Sequence, residues 1–260
     1  MELLRSALAA AEGAESTGGV GVLDTLAWVI LPYLAIVLLV VGLFWRYRTD
    51  QFGWTSRSSN WNESAILRWS SPMFHFGILA VGLGHLVGLA VPKALTEALG
   101  VTEEMYHLGA TVGGGLAGLV CVIGLLGLIY RRLVVKSVRL ATTRMDVVTY
   151  VLMCAPIALG TIATLLHQVI GGMTGHGYDY RETISVWFRS ILMLSPRPEL
   201  MTDVPLAFRL HIVAGMLLFC VWPFTRLVHV VSAPVGYLTR PSVVYRSRDA
   251  KKPVNRPRGW

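Results

Sequence analysis

The chain carries little charge for its size. Charged residues make up 15% of its 260 residues, hydrophobic residues make up 54%, and the mean hydropathy is +0.57. Several apolar runs are long enough to cross a hydrocarbon core, which requires about 20 residues each. Because these runs leave no room for a soluble domain of useful size, the composition predicts a polytopic membrane protein.

Cysteine is also scarce. The three cysteines, Cys121, Cys154 and Cys220, are scattered through apolar stretches and form neither a CxxC pair nor a CxxCH motif. This pattern excludes covalent haem attachment and gives too few thiolates for an iron–sulfur cluster. Buried free cysteines of this kind commonly behave as small hydrophobic residues.

Five apolar segments are predicted to span the membrane as helices, because unpaired backbone groups are too costly in lipid and the alternation of a β-strand is absent. The predicted spans are Leu23 to Phe44, Met73 to Val91, His107 to Tyr130, Val147 to His167 and Leu206 to Val231. The predicted fold class is therefore all-α. An extramembrane tail over 1–22, without the apolar middle region of a secretory signal, precedes a membrane domain over 23–234 and a basic tail over 235–260.

The basic residues predict the orientation of the spans. Arginine and lysine are concentrated in the loops after the first and third spans and in the C-terminal tail, whereas the loop after the second span carries Lys93 against Glu97, Glu103 and Glu104. The positive-inside rule then places the N-terminus outside and the C-terminus in the cytoplasm. The net charge of +8 is thus explained by topology and contact with anionic lipid, and we expect no nucleic-acid partner.

Four histidines lie in the second and fifth spans, namely His75, His85, His211 and His229. An ionisable side chain at membrane depth costs free energy unless it has a partner, so it marks a candidate functional site. The two spans are an odd number of crossings apart and must run antiparallel. The topology therefore predicts His85 beside His211 near the outer face and His75 beside His229 near the inner face.

The spacing of the histidines is compatible with two stacked sites. His211 and His229 are five whole helical turns apart, which predicts that both leave one helix face, whereas His75 and His85 point to neighbouring faces. Along the helix axis, these spacings correspond to rises of about 27 Å for His211 to His229 and about 15 Å for His75 to His85. Tilt, Pro223 and the width of the bound group are expected to absorb that difference.

Two imidazoles per site, without cysteine or carboxylate ligands, are unusual for zinc but suit a haem, whose macrocycle supplies four further nitrogens. The sequence thus predicts two non-covalent, b-type haems. The alternative is hydrogen bonding between helices, the ordinary role of a single intramembrane histidine. Nearby glycines could admit a flat cofactor or allow close helix packing; they are Gly77, Gly82, Gly84, Gly88 and Gly215. We assign no iron to His107, His167 or His176.

Several stretches resemble a known family. FHFGILAVGLGHLVGLAVP, YRRLVVKSVRLATTRMD and FRLHIVAGMLLFCVWPFTRLVHVVSAPVGYLTR are similar to the gamma subunit of membrane-bound respiratory nitrate reductase, a dihaem cytochrome b. WRYRTDQFGWTSRSSN resembles the first cytoplasmic loop of that family. The resemblance covers roughly residues 25–245 and makes the membrane domain a dihaem cytochrome b.

The resemblance implies that His85 and His211 ligate the haem distal to the catalytic subunit, and that His75 and His229 ligate the proximal one. Menaquinol or ubiquinol would be oxidised near the outer haem, with its protons released outside. Electrons would pass through both haems to a cytoplasmic iron–sulfur beta subunit, and then to a molybdenum-containing alpha subunit that reduces nitrate. The chain would be a multi-pass protein of a bacterial or archaeal-type cell membrane.

The family resemblance also implies further roles, which rest on less specific motifs. The quinol pocket is expected at Gly84, His85 and the loop from Pro92 to His107. Some relatives carry a loop lysine at the position of Met105, so His107 is the candidate quinone partner, with an interfacial histidine as the alternative. Arg209 and Arg226 flank the histidines of the fifth span and could pair with haem propionates or extend to lipid headgroups.

Two other functions remain open from the sequence. One is the cytochrome b subunit of another quinone-linked oxidoreductase, of the formate dehydrogenase or hydrogenase type. The other is a haem-free membrane anchor or transporter subunit, although the sequence shows neither the internal repeat nor the paired broken helices typical of transporters. In either complex, the cytoplasmic loops and the basic tail are the predicted docking surfaces for partner subunits.

Overall fold

The computed structural model describes residues 21–56, 58–232 and 239. Five helices are long and apolar enough to cross a membrane, and no described residue forms a β-strand, which confirms the predicted all-α fold with five spans. In chain order the helices are α1 (Val22–Thr49), α2 (Ala65–Ala90), α3 (Lys93–Ala98), α4 (Glu103–Val134), α5 (Lys136–Leu140), α6 (Arg144–Thr174), α7 (Ile184–Leu192) and α8 (Leu206–Val221). The predicted tails lie outside the described residues, apart from Gly21, Val22 and Thr239.

Several spanning helices are longer than predicted. A π-helical stretch interrupts α1 at Leu26–Ile30 and α6 at Thr164–Ile170, but neither helix ends there. Helix α2 begins at Ala65, well before the predicted Met73, because Glu63 accepts a hydrogen bond from the Ile66 amide at 2.7 Å and starts the helix in a polar segment. Hydropathy does not detect such polar turns.

The predicted fifth span is not one continuous helix. Helix α8 ends at Val221, a 3-10 turn follows at Trp222–Phe224, Thr225 is extended, and a second 3-10 segment runs over Arg226–Ser232. Pro223 causes the break because it has no amide hydrogen to continue the helical ladder. The prediction that His211 and His229 leave one face of an unbroken helix is therefore wrong, and the rise of about 27 Å does not apply.

The break is stabilised by a side chain from α1. Arg46 Nη1 donates to the carbonyl oxygens of Pro223 at 2.7 Å and of Thr225 at 2.9 Å. The guanidinium group thus provides hydrogen-bond partners for carbonyls at the break, where an unpaired carbonyl would be costly in an apolar setting. The interruption is thus stabilised by a contact between α1 and the segment that follows α8.

The bundle is organised by pairs of helices. Helix α2 packs mainly against α4, and α8 packs against α6 and α1. A cluster centred on Phe74, Cys121 and Met153 joins α2, α4 and α6, while a second cluster places Trp28 edge-to-face on Trp187 at 5.9 Å. Many large apolar side chains on the outer faces are exposed, as expected of surfaces that face lipid.

The connecting loops segregate as the charge pattern predicted. At one end, the segment before α2 is joined to α5 by hydrogen bonds between Asn62 and Ser137, and to the last turn of α4 by the Arg131–Glu63 ion pair at 2.5 Å. At the other end, Lys93 contacts Glu103 at 2.7 Å and Glu182 at 3.1 Å. That the arginine-rich end faces the cytoplasm remains a prediction.

The Glu63–Arg131 pair predicts an acid-sensitive component of stability. Burial raises the pKa of Glu63, but hydrogen bonds from Ile66 and Arg131 outweigh it and hold the pKa below the ordinary 4.5. A carboxyl with a lowered folded pKa stabilises the fold above its unfolded pKa, and this contribution is lost as the pH falls through the folded value. Glu63→Gln should lower the unfolding temperature in detergent at pH 7 by about 5–10 °C and flatten its decline below pH 4.5. An unchanged acid profile would contradict this role.

Candidate metal centres

The structure brings the four membrane histidines together in the predicted pairs. The ring centroids of His85 and His211 are 5.7 Å apart, and those of His75 and His229 are 6.2 Å apart. Two imidazoles on opposite sides of one metal ion, each about 2.0–2.1 Å from it, have centroids about 6 Å apart. Both pairs therefore have the separation of rings that share an ion.

All four rings are oriented by the same kind of hydrogen bond. Each Nδ1 contacts a backbone carbonyl oxygen, which can only accept, so Nδ1 carries the proton and Nε2 keeps its lone pair. The carbonyls belong to Ser71 for His75 (2.7 Å), Val81 for His85 (2.8 Å), Pro156 for His211 (2.8 Å) and Arg226 for His229 (2.5 Å). Metal-ligating histidines are typically held in this way.

The ligand set of each pair is small. Among the described residues, neither pair has a third histidine, cysteine or carboxylate in ligating range; the group of three that is in range consists of Glu103, His107 and Asp179. A closed tetrahedral zinc site needs four ligands, whereas a haem needs two axial ones. The residues present therefore fit haem better than zinc at both levels.

The glycines near the histidines separate into two groups. A Cβ on Gly77 would lie 2.5 Å from the Cys121 amide nitrogen, so this glycine serves close packing of α2 against α4. In contrast, a Cβ on Gly82, Gly84 or Gly215 would meet no atom within 4 Å. The second group borders open space, so close helix packing does not explain these three glycines.

Helix α6 supplies two features that the sequence analysis missed. Its Pro156 carbonyl orients His211, and its Gly160 admits the ring, because a Cβ there would lie 2.8 Å from His211 Cε1. Both residues are ordinary members of an apolar run, although a proline inside a predicted span is a signal that could have drawn attention to this turn. The ligand on α8 thus depends on the helix beside it.

The two candidate arginines differ in their surroundings. Arg209 Nε is buried and has no hydrogen-bond partner among the described residues, which leaves it available to a carboxylate. Arg226 instead donates a hydrogen bond from Nη2 to Asp146 at 2.6 Å, and its Nε lies 2.5 Å from the other carboxylate oxygen. Arg226 is therefore already paired with a carboxylate of this chain, whereas the Nε of Arg209 is not.

The candidate quinone partner His107 lies in an ion-pair cluster. Its Nε2 is 3.1 Å from a Glu103 oxygen and 3.9 Å from an Asp179 oxygen, and Lys93 also contacts Glu103. Hydrogen bonds to Glu103 and Glu182 raise the pKa of Lys93, so this lysine stays charged. Met105, at the family lysine position, is 60% exposed.

The two remaining histidines have ordinary local contacts. His167 packs against Phe208 with ring centroids 5.3 Å apart, and His176 Nδ1 lies 2.9 Å from the Thr174 carbonyl oxygen. These contacts account for both side chains without a metal. Their assignment away from iron stays a prediction.

The fold and the paired histidines together define an all-α, multi-pass membrane protein built around two candidate metal centres. The chain belongs to the nitrate reductase gamma subunit family, whose model matches residues 24–248. This confirms the resemblance found in the histidine motifs, and a multi-pass bacterial membrane protein fits both findings.

Individual relatives agree with the family. The chain is 43% identical over 222 residues to the nitrate reductase gamma chain of Bacillus subtilis, covering 85% of this chain and 97% of that one. It is 34% identical over 220 residues to the respiratory nitrate reductase 1 gamma chain of Escherichia coli, covering 84% and 95%. It is also 49% identical over 237 residues to the nitrate reductase-like protein NarX of Mycobacterium tuberculosis; this covers 90% of the chain but 36% of that relative, so the chain spans about a third of its length.

Proposed function

We propose that this chain is the quinol-oxidising, dihaem cytochrome b subunit of a nitrate reductase complex. The observation that carries the proposal is the pair of facing imidazoles at each of two levels, with every Nδ1 bound to a carbonyl and every Nε2 left for a metal. Membership of the nitrate reductase gamma subunit family supports the choice of complex.

The four histidines would bind haem at two depths in the bundle. His85 and His211 would hold one haem b, and His75 and His229 the other, each haem carrying one electron at a time when bound. The spacing of ten positions from His75 to His85 separates the levels by about 15 Å along α2. By the predicted orientation, the first pair lies near the outer face and the second near the inner face.

Arg209 would contribute at the outer level. Its buried Nε lacks a partner among the described residues, and it precedes His211 by less than one helical turn. A buried guanidinium group is costly unless it is paired, and a haem propionate matches its forked donors. We therefore assign Arg209, rather than Arg226, to a propionate of the outer haem.

Quinol would be oxidised at the outer end, near Gly84, His85 and the loop from Pro92 to His107. Each quinol, menaquinol or ubiquinol, gives up two electrons and two protons, and reduction of nitrate to nitrite and water consumes two of each. His107 is held between carboxylates, where its imidazole could accept a proton or hydrogen-bond a quinol hydroxyl. The electrons would leave at the inner end.

We place the acceptors outside this membrane domain, because its three scattered cysteines do not form the pattern of an iron–sulfur cluster site. We propose an iron–sulfur beta subunit as the direct electron acceptor and a molybdenum-containing alpha subunit as the site of nitrate reduction. Family membership favours this assignment over a partner of the formate dehydrogenase or hydrogenase type.

The experiment that tests the proposal follows the b-haem absorbance in membranes that contain the whole complex. Addition of a short-chain menaquinol analogue should reduce the haem, and nitrate should then reoxidise it. A His211→Ala complex serves as the control and should lose this reduction. Haem that is reduced by dithionite but not by the quinol would overturn the quinol-oxidising role, and haem that is reoxidised by a different acceptor but not by nitrate would favour the alternative complexes.

A further inference from the structure

Asp146 is a buried carboxylate at the start of α6, with 2% of its surface exposed. Its Oδ2 accepts a hydrogen bond from the Thr143 amide at 2.8 Å, and its own amide donates to the Thr143 hydroxyl at 3.3 Å. This reciprocal capping box fixes the carboxylate at the positive end of the helix dipole. The capping box therefore orients the Asp146 carboxylate independently of its contacts with other helices.

The carboxylate binds an arginine from the far end of the sequence. Arg226 Nε lies 2.5 Å from Oδ1 and Arg226 Nη2 lies 2.6 Å from Oδ2, while Arg132 Nη1 approaches Oδ2 at 3.5 Å. The Nη2 contact is a charge-assisted hydrogen bond and the Nε contact is an ion pair, so the guanidinium group lies against the buried carboxylate. Arg226 is thus fastened to the beginning of α6.

Arg226 opens the 3-10 segment Arg226–Ser232, which contains His229 and is separated from α8 by the break at Pro223. The carbonyl oxygen of Arg226 accepts the hydrogen bond from His229 Nδ1 at 2.5 Å. The other three histidines stand on α-helices, where the backbone holds them. His229 lies instead in a short 3-10 segment beyond the break, so its position also depends on the contacts that hold this segment against the bundle.

We infer that Asp146 is a positioning residue for the inner centre, acting through Arg226 to hold the imidazole of His229 opposite His75. Helix α6 then orients both ligands of the C-terminal part of the chain: Pro156 holds His211, and Asp146 holds His229. The spacing of ten positions from Asp146 to Pro156 equals that from His75 to His85, so α6 carries one supporting residue at each level. This role rests on the proposed function, since it requires haem at the inner centre.

The test compares Asp146→Asn with Glu63→Gln in the purified complex. Glu63 forms an ion pair with the buried Arg131 at the same end of the bundle, and neither residue is hydrogen-bonded to a membrane histidine, so Glu63→Gln is a matched control for loss of an ion-paired carboxylate. The readouts are the rate of haem loss to excess apomyoglobin and the redox titration of each b-type component. Loss of an orienting partner typically weakens metal binding about 10–100-fold.

Asp146→Asn should release the inner haem about 10–100-fold faster, or shift its potential, while the outer haem is unchanged. Arg226→Met, which keeps the backbone carbonyl but removes the guanidinium group, should reproduce this result, and Glu63→Gln should leave both haems as in the wild type. Equal effects of Asp146→Asn on both haems, or none on either, would overturn the inference. A wild-type complex without haem would instead refute the proposed function itself.

Discussion

Replacement of His211 by alanine is expected to remove one of two b-type haem components from the complex and to leave the other. The reason is the facing geometry, in which His211 shares its level with His85 and not with the inner pair. His85→Ala should therefore give the same spectrum as His211→Ala, whereas His75→Ala and His229→Ala should both remove the other component. Low-temperature reduced-minus-oxidised spectra and a redox titration of each variant measure this directly.

Electron transfer from quinol should fall more than about 100-fold in each of the four variants, because the haems act in series and loss of either interrupts the path. His167→Ala is the matched control, since His167 also lies in a spanning helix but packs against Phe208. It should retain both haem components and near wild-type rates. Four variants that lose haem in any other grouping would contradict the assigned pairs.

Substitution of Gly160 by alanine is expected to weaken the outer centre without unfolding the bundle. The new Cβ would lie 2.8 Å from Cε1 and 2.9 Å from Nδ1 of His211, closer than such atoms approach in folded proteins. The ring must move, and in doing so it loses its hydrogen bond to the Pro156 carbonyl. Outer-haem affinity should fall about 10–100-fold, as is typical when a ligand loses its orienting partner.

The control for Gly160→Ala is Gly172→Ala, which lies later on the same helix and whose Cβ would meet no atom within 4 Å. Alanine at Gly172 should keep both haems, and it should slightly stabilise the chain because alanine favours the helix over glycine. The outer haem is followed by its spectral component and the fold by the unfolding temperature. Full retention of both haems in Gly160→Ala, with unchanged potentials, would show that the position of His211 does not depend on this close approach.

The pairing of the histidines could be predicted from the sequence because it depends on quantities that a sequence contains. The number of crossings makes the second and fifth spans antiparallel, and this direction alone places His85 at the same depth as His211 and His75 at the same depth as His229. The all-α fold follows in the same way from run length and from the cost of unpaired backbone groups in lipid. Such features tolerate errors of several residues at the helix ends.

The break at Pro223 could not be predicted with the same certainty. The apolar run continues past it to Val231, and hydropathy is insensitive to a change in backbone conformation. Proline was a visible signal, but prolines are tolerated in spanning helices, as Pro72 in α2 illustrates. What decides the outcome at Pro223 is the tertiary support that Arg46 gives to the freed carbonyls, and this contact joins residues far apart in sequence.

The groups that orient the histidines were also beyond the sequence analysis. Arg226 was expected to pair with a propionate or a headgroup, but a buried Asp146 some eighty residues earlier binds it instead. Gly160 is one glycine among 26, and only the approach of His211 distinguishes it. Ligands can be recognised by residue type and spacing, whereas the residues that hold them are defined by tertiary contacts.

Whether the paired histidines bind haem is best decided by the haem-to-protein ratio of the purified wild-type complex, measured by the pyridine haemochrome assay against the amount of this chain. We expect two non-covalent b-type haems per chain, extractable with acidified acetone. Correctly inserted and assembled protein that contains no haem would refute the proposed function, and would leave the four histidines as hydrogen-bonding residues of a membrane anchor.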